Sequence, residues 1–336
     1  MLAVLSPLIH LVAAIIDLIV DRKHWRTTRF VGIGLAFCVV EVFGLFTLLT
    51  VWIGSGFGLF MKRPFWVRAN TVLTGQYLEM ITRAVRFYLG FSFSCTVDKI
   101  PDGPLLLFSR HAGPCDSFLI VRVVIRELGR VPHAIGAAKL QWDPFLDIVG
   151  ERLGFHYLSQ NPADAMAEID KIKALATKVG HGETLVLFPE GGNYTPGRRI
   201  RSIDRMRERG HHDHAERAER LQHTLLPRVG GAIAAIEGSP DATVLFIAHA
   251  GLEGIHGFSD LWSSVPLRRK VVAHGWPCSI EGLSSELTER TRWLFDEWVV
   301  VDDWIDETLR LHTADLPTQA EQAPDDVIAG TAPGST

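Results

Sequence analysis

The chain has 336 residues, 47% apolar and 21% charged, with a formal net charge of −4. That length fits two to three domains or a single α/β domain with a large core. The charge balance supplies no basic field to support nucleic-acid binding, and four scattered cysteines without C-x-x-C spacing suit a reduced, intracellular setting.

The excess hydrophobicity is concentrated at the start. Residues 1–20 lack a positive n-region and an A-x-A site, so they do not read as a signal peptide. They are long enough to cross a bilayer, although His10 and Asp17 would be costly at its centre. Residues 30–60 form a stronger span, with Glu41 as its only charge. Between the two lie Arg22, Lys23, Arg26 and Arg29. The expectation is a hydrophobic helical hairpin over 1–60 that spans the membrane or dips into one leaflet, the alternative being a buried hairpin of a soluble protein. Basic residues on both sides of the second helix leave its orientation open. Residues 61–93 follow as an amphipathic interfacial helix or a linker helix packed on the next domain.

From about residue 94 to 312 the pattern becomes α/β. Apolar runs of strand length occur at 104–109, 133–138, 155–159, 184–189, 243–249 and 270–276. Helical patterns separate several of them, which predicts a mostly parallel central sheet flanked by helices. Functional residues of such sheets gather at the carboxyl ends of the strands. Residues 201–221 read as a charged helical insertion, 286–311 as a closing helix, and 313–336 as a disordered tail.

Two stretches carry the candidate chemistry. In "SRHAGPCDSF" (109–118) a strand would deliver His111 to the sheet edge. Gly113 permits a tight turn, Pro114 suits a helix start, and Asp116 would fall in the first helical turn. Asp116 could then accept from the Nδ1–H of His111 and leave Nε2 as a base. An N-capping aspartate beside a surface histidine has the same spacing. The second stretch, "LVLFPEGGNYTPGRR" (185–199), ends a strand in Glu190, Gly191 and Gly192, whose backbone could approach an anion beside Arg198 and Arg199.

In this order the two stretches resemble the glycerophospholipid acyltransferase family, typified by lysophosphatidic acid acyltransferase. His111 and Asp116 match its H-x-x-x-x-D motif, and "FPEGG" (188–192) matches its F-P-E-G-[ST]-R motif. Lys139 stands where the family has a substrate-side lysine, and "LGFHYLSQ" (153–160) follows its second motif, with Gln160 in place of arginine. Gly192-Asn193 replaces Thr/Ser-Arg, and "VLFIAHAG" (244–251) lacks the proline of the fourth motif. Arg110, Arg198 and Arg199 are candidates to replace the missing phosphate ligands. "LLPRVGGA" (225–232), with Arg228, is similar to a segment of the eukaryotic-like branch.

The resemblance implies the glycerolipid acyltransferase fold and a membrane-bound O-acyltransferase of phospholipid biosynthesis. His111 and Asp116 would be catalytic; Lys139, Gln160, Glu190, Gly191, Gly192 and Arg198 would bind substrate. The donor would be acyl-CoA or acyl-carrier protein, with no cofactor and no metal, and the acceptor 1-acylglycerol-3-phosphate. Membrane lipids are the expected partners, with the catalytic domain on the cytoplasmic face, where thioester donors are made. A hydrolase or a non-catalytic membrane binding protein on the same fold are the alternatives. A thiol mechanism through Cys115 is disfavoured, because four residues separate it from His111 on a forming helix. The cluster His211, His212, Asp213 and His214 could suggest a metal site, as could His249 with His256; the cluster reads as a solvated face.

Overall fold

The computed structural model describes residues 2–320 except 114, 115, 160, 256 and 268; at 2–5, 139, 162 and 312–320 it describes the backbone alone. Pro114, Cys115, Gln160, His256 and residues 321–336 therefore lie outside the described residues.

Helices α1 (Leu2–Val20) and α2 (Arg26–Gly54) form the expected hairpin. Asp17 does not sit unpaired in an apolar helix. Its carboxylate accepts from the backbone N–H of Thr27 and Thr28, at 3.1 and 2.6 Å, and so caps the start of α2. Glu41 is used in the same way, because it accepts from the backbone N–H of Phe145 (2.9 Å) at the start of the helix Pro144–Leu153. It also accepts from the Tyr77 hydroxyl at 2.7 Å. Asp17, which weakened the first span, and Glu41, the only charge of the second, thus both satisfy orphan donors at helix starts.

Helix α3 (Pro64–Leu89) runs antiparallel to α2, and both pack on the helix Pro144–Leu153 of the following domain. Gly32 faces Tyr88, Gly44 faces Phe145 and Tyr77, and Gly54 faces Trp66, so α2 is held to the domain along most of its length. A Cβ at Gly44 would come within 2.7 Å of the Phe145 ring, which stacks on Tyr77 with centroids 3.9 Å apart. The buried side of α3 is Thr71, Thr74, Tyr77 and Leu78. Helix α3 also packs on the helix Asp116–Arg126, while Phe65, Val72 and Phe87 remain exposed on it. The outward faces of α1 and α2 carry exposed Leu11, Ile15, Ile19, Val39, Phe43 and Phe46.

Among the described residues, seven strands form one sheet: β1 (Ser92–Val97), β2 (Leu105–Ser109), β3 (Val131–Ala137), β4 (His156–Leu158), β5 (Glu183–Leu187), β6 (Thr243–Ala250) and β7 (Lys270–Ser279). Their order is β1-β7-β6-β2-β5-β3-β4, parallel throughout except for β6 against β7. The central strand β2 is buried on both faces, as its unbroken apolar run requires. Strand β1 was not among the expected apolar runs. It is a half-polar edge strand that pairs only with β7.

Helices α4 (Asp116–Arg126), α5 (Pro144–Leu153), α6 (Ala165–Ala176) and α9 (Val229–Gly238) cover the sheet, with α10 (Phe258–Ser264) in the connection to β7. The charged insertion is two helices, α7 (Pro196–Glu208) and α8 (His212–Arg220), with Gly210 between them at φ 77°. The closing helix α11 (Leu287–Ala320) buries Leu294, Trp298, Val301 and Ile305 in the main core. Residues 313–320, expected to begin a disordered tail, continue this helix.

Candidate active site

Strands β2, β5 and β6 are mutually parallel neighbours, so their carboxyl ends share one edge of the sheet. His111 follows β2, the Phe188–Gly192 turn follows β5, and His249 lies near the end of β6. That convergence brings together residues far apart in sequence.

The His111–Asp116 pair forms as the turn chemistry predicts. Asp116 is the first residue of α4, and its Oδ1 lies 2.8 Å from His111 Nδ1. Its Oδ2 accepts from the backbone N–H of Ala112 and Gly113, at 2.6 and 3.0 Å, which closes the loop onto its own helix. Burial works against this charge. The hydrogen bond and charge of His111, the field of His249 and the Gly113 N–H outweigh it and hold the carboxyl below its ordinary range. The carboxylate favours the tautomer with hydrogen on Nδ1. Nε2 makes no hydrogen bond among the described residues, and the ring remains partly exposed against Phe188, with centroids 4.8 Å apart.

Glu190 is buried, and both of its oxygens are spent on backbone. Oε1 accepts from His111 N–H at 2.9 Å and Oε2 from Leu225 N–H at 3.0 Å. Burial pushes this carboxyl up to about 8, against those two donors and the nearby Arg110. Glu190 therefore ties the His111 loop to the 222–225 segment. The same segment is held from behind by α11, where the Asp302 carboxylate accepts from Gln222 N–H, His223 N–H and the Thr224 hydroxyl.

Arg110 is buried and also serves the scaffold. Its guanidinium donates to the carbonyls of His249 (2.6 Å) and His223 (3.0 Å) and to Glu253 Oε1 (2.8 Å). Arg199 donates to the carbonyls of Leu221 and Glu219 at the end of α8. Two of the three arginines proposed as phosphate ligands are thus committed to backbone.

The third, Arg198, remains at the rim of a cleft lined by Gly191, Ser202, Arg205 and Arg228. Its Nη1 donates to the Asn193 carbonyl at 2.8 Å. Gly191 sits at φ 66°, and a Cβ there would lie 2.5 Å from Arg228 Nε, so only glycine lets the arginine lie across the turn. Burial and then the charges of Arg205 and Arg198 lower the pKa of the Arg228 guanidinium. None of these three cations has a carboxylate partner among the described residues. A cluster of mutually repelling guanidiniums beside a glycine turn suits an anion. Sequence reading singled out Arg198 and noted Arg228; Arg205 was missed, because only the fold of α7 brings it to the cleft.

On the other side of Phe188 lies a narrow apolar cavity, lined among others by Leu78, Val121, Ala134, Gly136 and Leu140. Phe188 thus touches both the cavity and the His111 ring. Lys139 lies in the 3-10 turn Ala138–Trp142 directly after β3, near this region; only its backbone is described. No group of His, Cys, Asp and Glu side chains suited to a metal ion occurs among the described residues.

Residues 93–238 match the family model described as Acyltransferase. Residues 93–238 are an acyltransferase domain. The match runs from β1 to the end of α9 and so includes His111, Asp116, Glu190, Gly191 and the arginine cleft. Strands β6 and β7 and helix α11 lie beyond it, yet they hold parts of the matched segment: the β6 backbone accepts from Arg110 and Asp302 accepts from Gln222. No curated protein matches the chain.

Proposed function

We propose that this acyltransferase moves a fatty acyl group from a thioester, acyl-CoA or acyl-carrier protein, to the hydroxyl of a lysophospholipid at a membrane surface. The proposed acceptor is 1-acylglycerol-3-phosphate, and the product phosphatidic acid. The observation that carries this reading is a partly exposed His111 with Nδ1 engaged by Asp116, its ring against Phe188 of an apolar cavity and its backbone N–H held by Glu190 of the cleft that carries three arginines without carboxylate partners among the described residues. A base, a place for an acyl chain and a place for a phosphate are what this reaction needs.

His111 Nε2 takes the proton of the acceptor hydroxyl as the oxygen attacks the thioester carbonyl. The tetrahedral intermediate collapses, the carbon–sulfur bond breaks, and the imidazolium returns its proton to the departing thiolate. General base catalysis contributes about 100- to 10,000-fold; holding donor and acceptor together supplies much of the rest. Arg228, Arg198 and Arg205 would bind the acceptor phosphate in place of the arginines that the family has at Gln160 and Asn193. The apolar cavity behind Phe188 would take an acyl chain, and Glu190 would act by setting the His111 loop rather than by touching substrate.

The exposed apolar faces of α1 and α2 support attachment to the membrane. Helix α2 is long and apolar enough to cross it. Because α2 is fastened to α3 from Gly32 to Gly54, we read the hairpin as inserted beside the domain in one leaflet, with the site opening on the cytoplasmic face.

The experiment is incubation of the purified full chain with labelled palmitoyl-CoA and a panel of lysophospholipids. Labelled phosphatidic acid supports the proposal. Free fatty acid in its place means a hydrolase, and no turnover with CoA or carrier-protein thioesters means a binding protein.

A further inference from the structure

His249 is a buried histidine to which the reaction above gives no task. Its ring is 2% exposed at the carboxyl end of β6, and neither ring nitrogen has a hydrogen-bond partner among the described residues. Burying two unpaired polar atoms costs stability that an apolar side chain of similar size would not. What distinguishes the position is its neighbour: Nε2 lies 3.7 Å from Asp116 Oδ2, on the side of the carboxylate away from His111.

The charges around the ring fix its state. Arg110, from the end of β2, donates to the His249 carbonyl and sets a positive charge beside the imidazole; Glu253, in the loop after β6, pairs with that guanidinium. Asp116 faces the ring from α4, with His111 beyond it, and Glu190 stands on the far side of the His111 loop. Burial first, and then Arg110, disfavour the imidazolium, so the ring is neutral. An anionic oxygen near Nε2 favours the tautomer that carries hydrogen there. The result is an uncharged ring whose Nε2 lies 3.7 Å from Asp116 Oδ2, beyond hydrogen-bond length but close enough for its N–H dipole to act on the carboxylate.

We propose that His249 is a positioning residue that presents its Nε2–H to Asp116 Oδ2 and thereby sets how strongly Asp116 holds the Nδ1–H of His111. This rests on the reading of His111 as the base. With the Ala112 and Gly113 N–H groups, His249 draws electron density toward Oδ2 and away from Oδ1. Without it, Asp116 grips His111 more strongly. A tighter grip raises the energy of giving up the ring proton, so the acid limb of the rate profile moves to higher pH, by about half a unit. The turnover number falls about 3- to 10-fold with KM unchanged, as expected for a residue that touches no substrate.

The test compares His249→Leu, His249→Gln and His249→Asn in the full chain in detergent, with palmitoyl-CoA and 1-oleoyl-lysophosphatidic acid. Glutamine can place an N–H where Nε2 stood; asparagine is too short and leucine has no donor. The downfield proton resonance of His111 Nδ1–H, identified by its loss in His111→Ala, gives a readout independent of turnover. The leucine and asparagine variants should move that resonance further downfield and shift the acid limb upward, and glutamine should restore both. If leucine does not fold, glutamine against asparagine makes the same comparison. An identical resonance in every folded variant overturns the inference. Absence of acyl transfer by the wild-type chain refutes the acyltransferase reading instead, and the resonance still decides the role of His249.

Discussion

Replacing Asp116 by asparagine changes one atom and forces a choice on the loop. The carboxylate accepts three N–H groups: His111 Nδ1–H on one oxygen, Ala112 and Gly113 on the other. An asparagine has one acceptor oxygen and brings two donors. If that oxygen keeps the two backbone groups, the amide NH2 faces His111 Nδ1, which must then accept. The ring proton moves to Nε2 and the base is lost. If the oxygen instead keeps His111, two backbone donors face an NH2 and the loop opens. The first arrangement retains more bonds, so the variant folds with its base disabled. The rate should fall by about 100- to 10,000-fold, or about 2.7 to 5.5 kcal/mol in the barrier. Exchanging charge-assisted bonds for neutral ones should cost about 1–3 kcal/mol of stability. Initial rates with palmitoyl-CoA and lysophosphatidic acid, alongside thermal unfolding by circular dichroism, measure both. In the double variant with His111→Ala the rate should fall no further than in either single one. An asparagine variant that keeps its turnover within about threefold of wild type, beyond the scatter expected of a neutral change, would refute the reasoning.

Other consequences follow from the same geometry. Glu190 has an ordinary value of 4.5 and is pushed up to about 8 by burial, so the folded chain holds a proton that the unfolded chain has already released. Its contribution to stability is full below about pH 4.5 and is lost as pH rises through about 8, and Glu190→Gln should flatten the fall in melting temperature over that window; an unchanged slope would assign it to other groups. Arg228→Ala should raise the KM for lysophosphatidic acid about tenfold or more, and do so less for an acceptor without a terminal phosphate, because it removes a charge-assisted contact. Equal effects on both acceptors would remove the phosphate from that cleft. Ala134→Leu narrows the apolar cavity and should shift preference toward shorter acyl donors in a chain-length series; an unchanged profile would place the chain elsewhere.

The parts of the site that could be read from the sequence are those closed by local chemistry. The turn between β2 and α4 sets His111 against Asp116 within five residues, and glycine permits the Phe188–Gly192 turn. The buried strands were legible because both of their faces are covered, so apolar residues run without a break. Strand β1 was not, since an edge strand with one wet face has no such run, and nothing in the composition of β7 states that it lies antiparallel to β6. Roles set by distant partners were hidden too. Asp17 looked costly in an apolar helix, and Glu41 was a lone charge without a task, until their backbone donors at Thr27, Thr28 and Phe145 came into view. Glu190 was recognised by its motif, but that it joins His111 to Leu225 depends on 35 residues of intervening chain folding back. Arg110 and Arg199 illustrate the same limit: the charge was visible, and its commitment to carbonyls was not.

The central claim is that His111 Nε2 acts as the base in acyl transfer to a lysophospholipid. The most direct measurement follows labelled palmitoyl-CoA and lysophosphatidic acid to phosphatidic acid with the wild-type chain and with His111→Ala, each shown to be folded. The account predicts phosphatidic acid from the wild type and a loss of at least about 100-fold in the variant. Comparable turnover by the two proteins would contradict it.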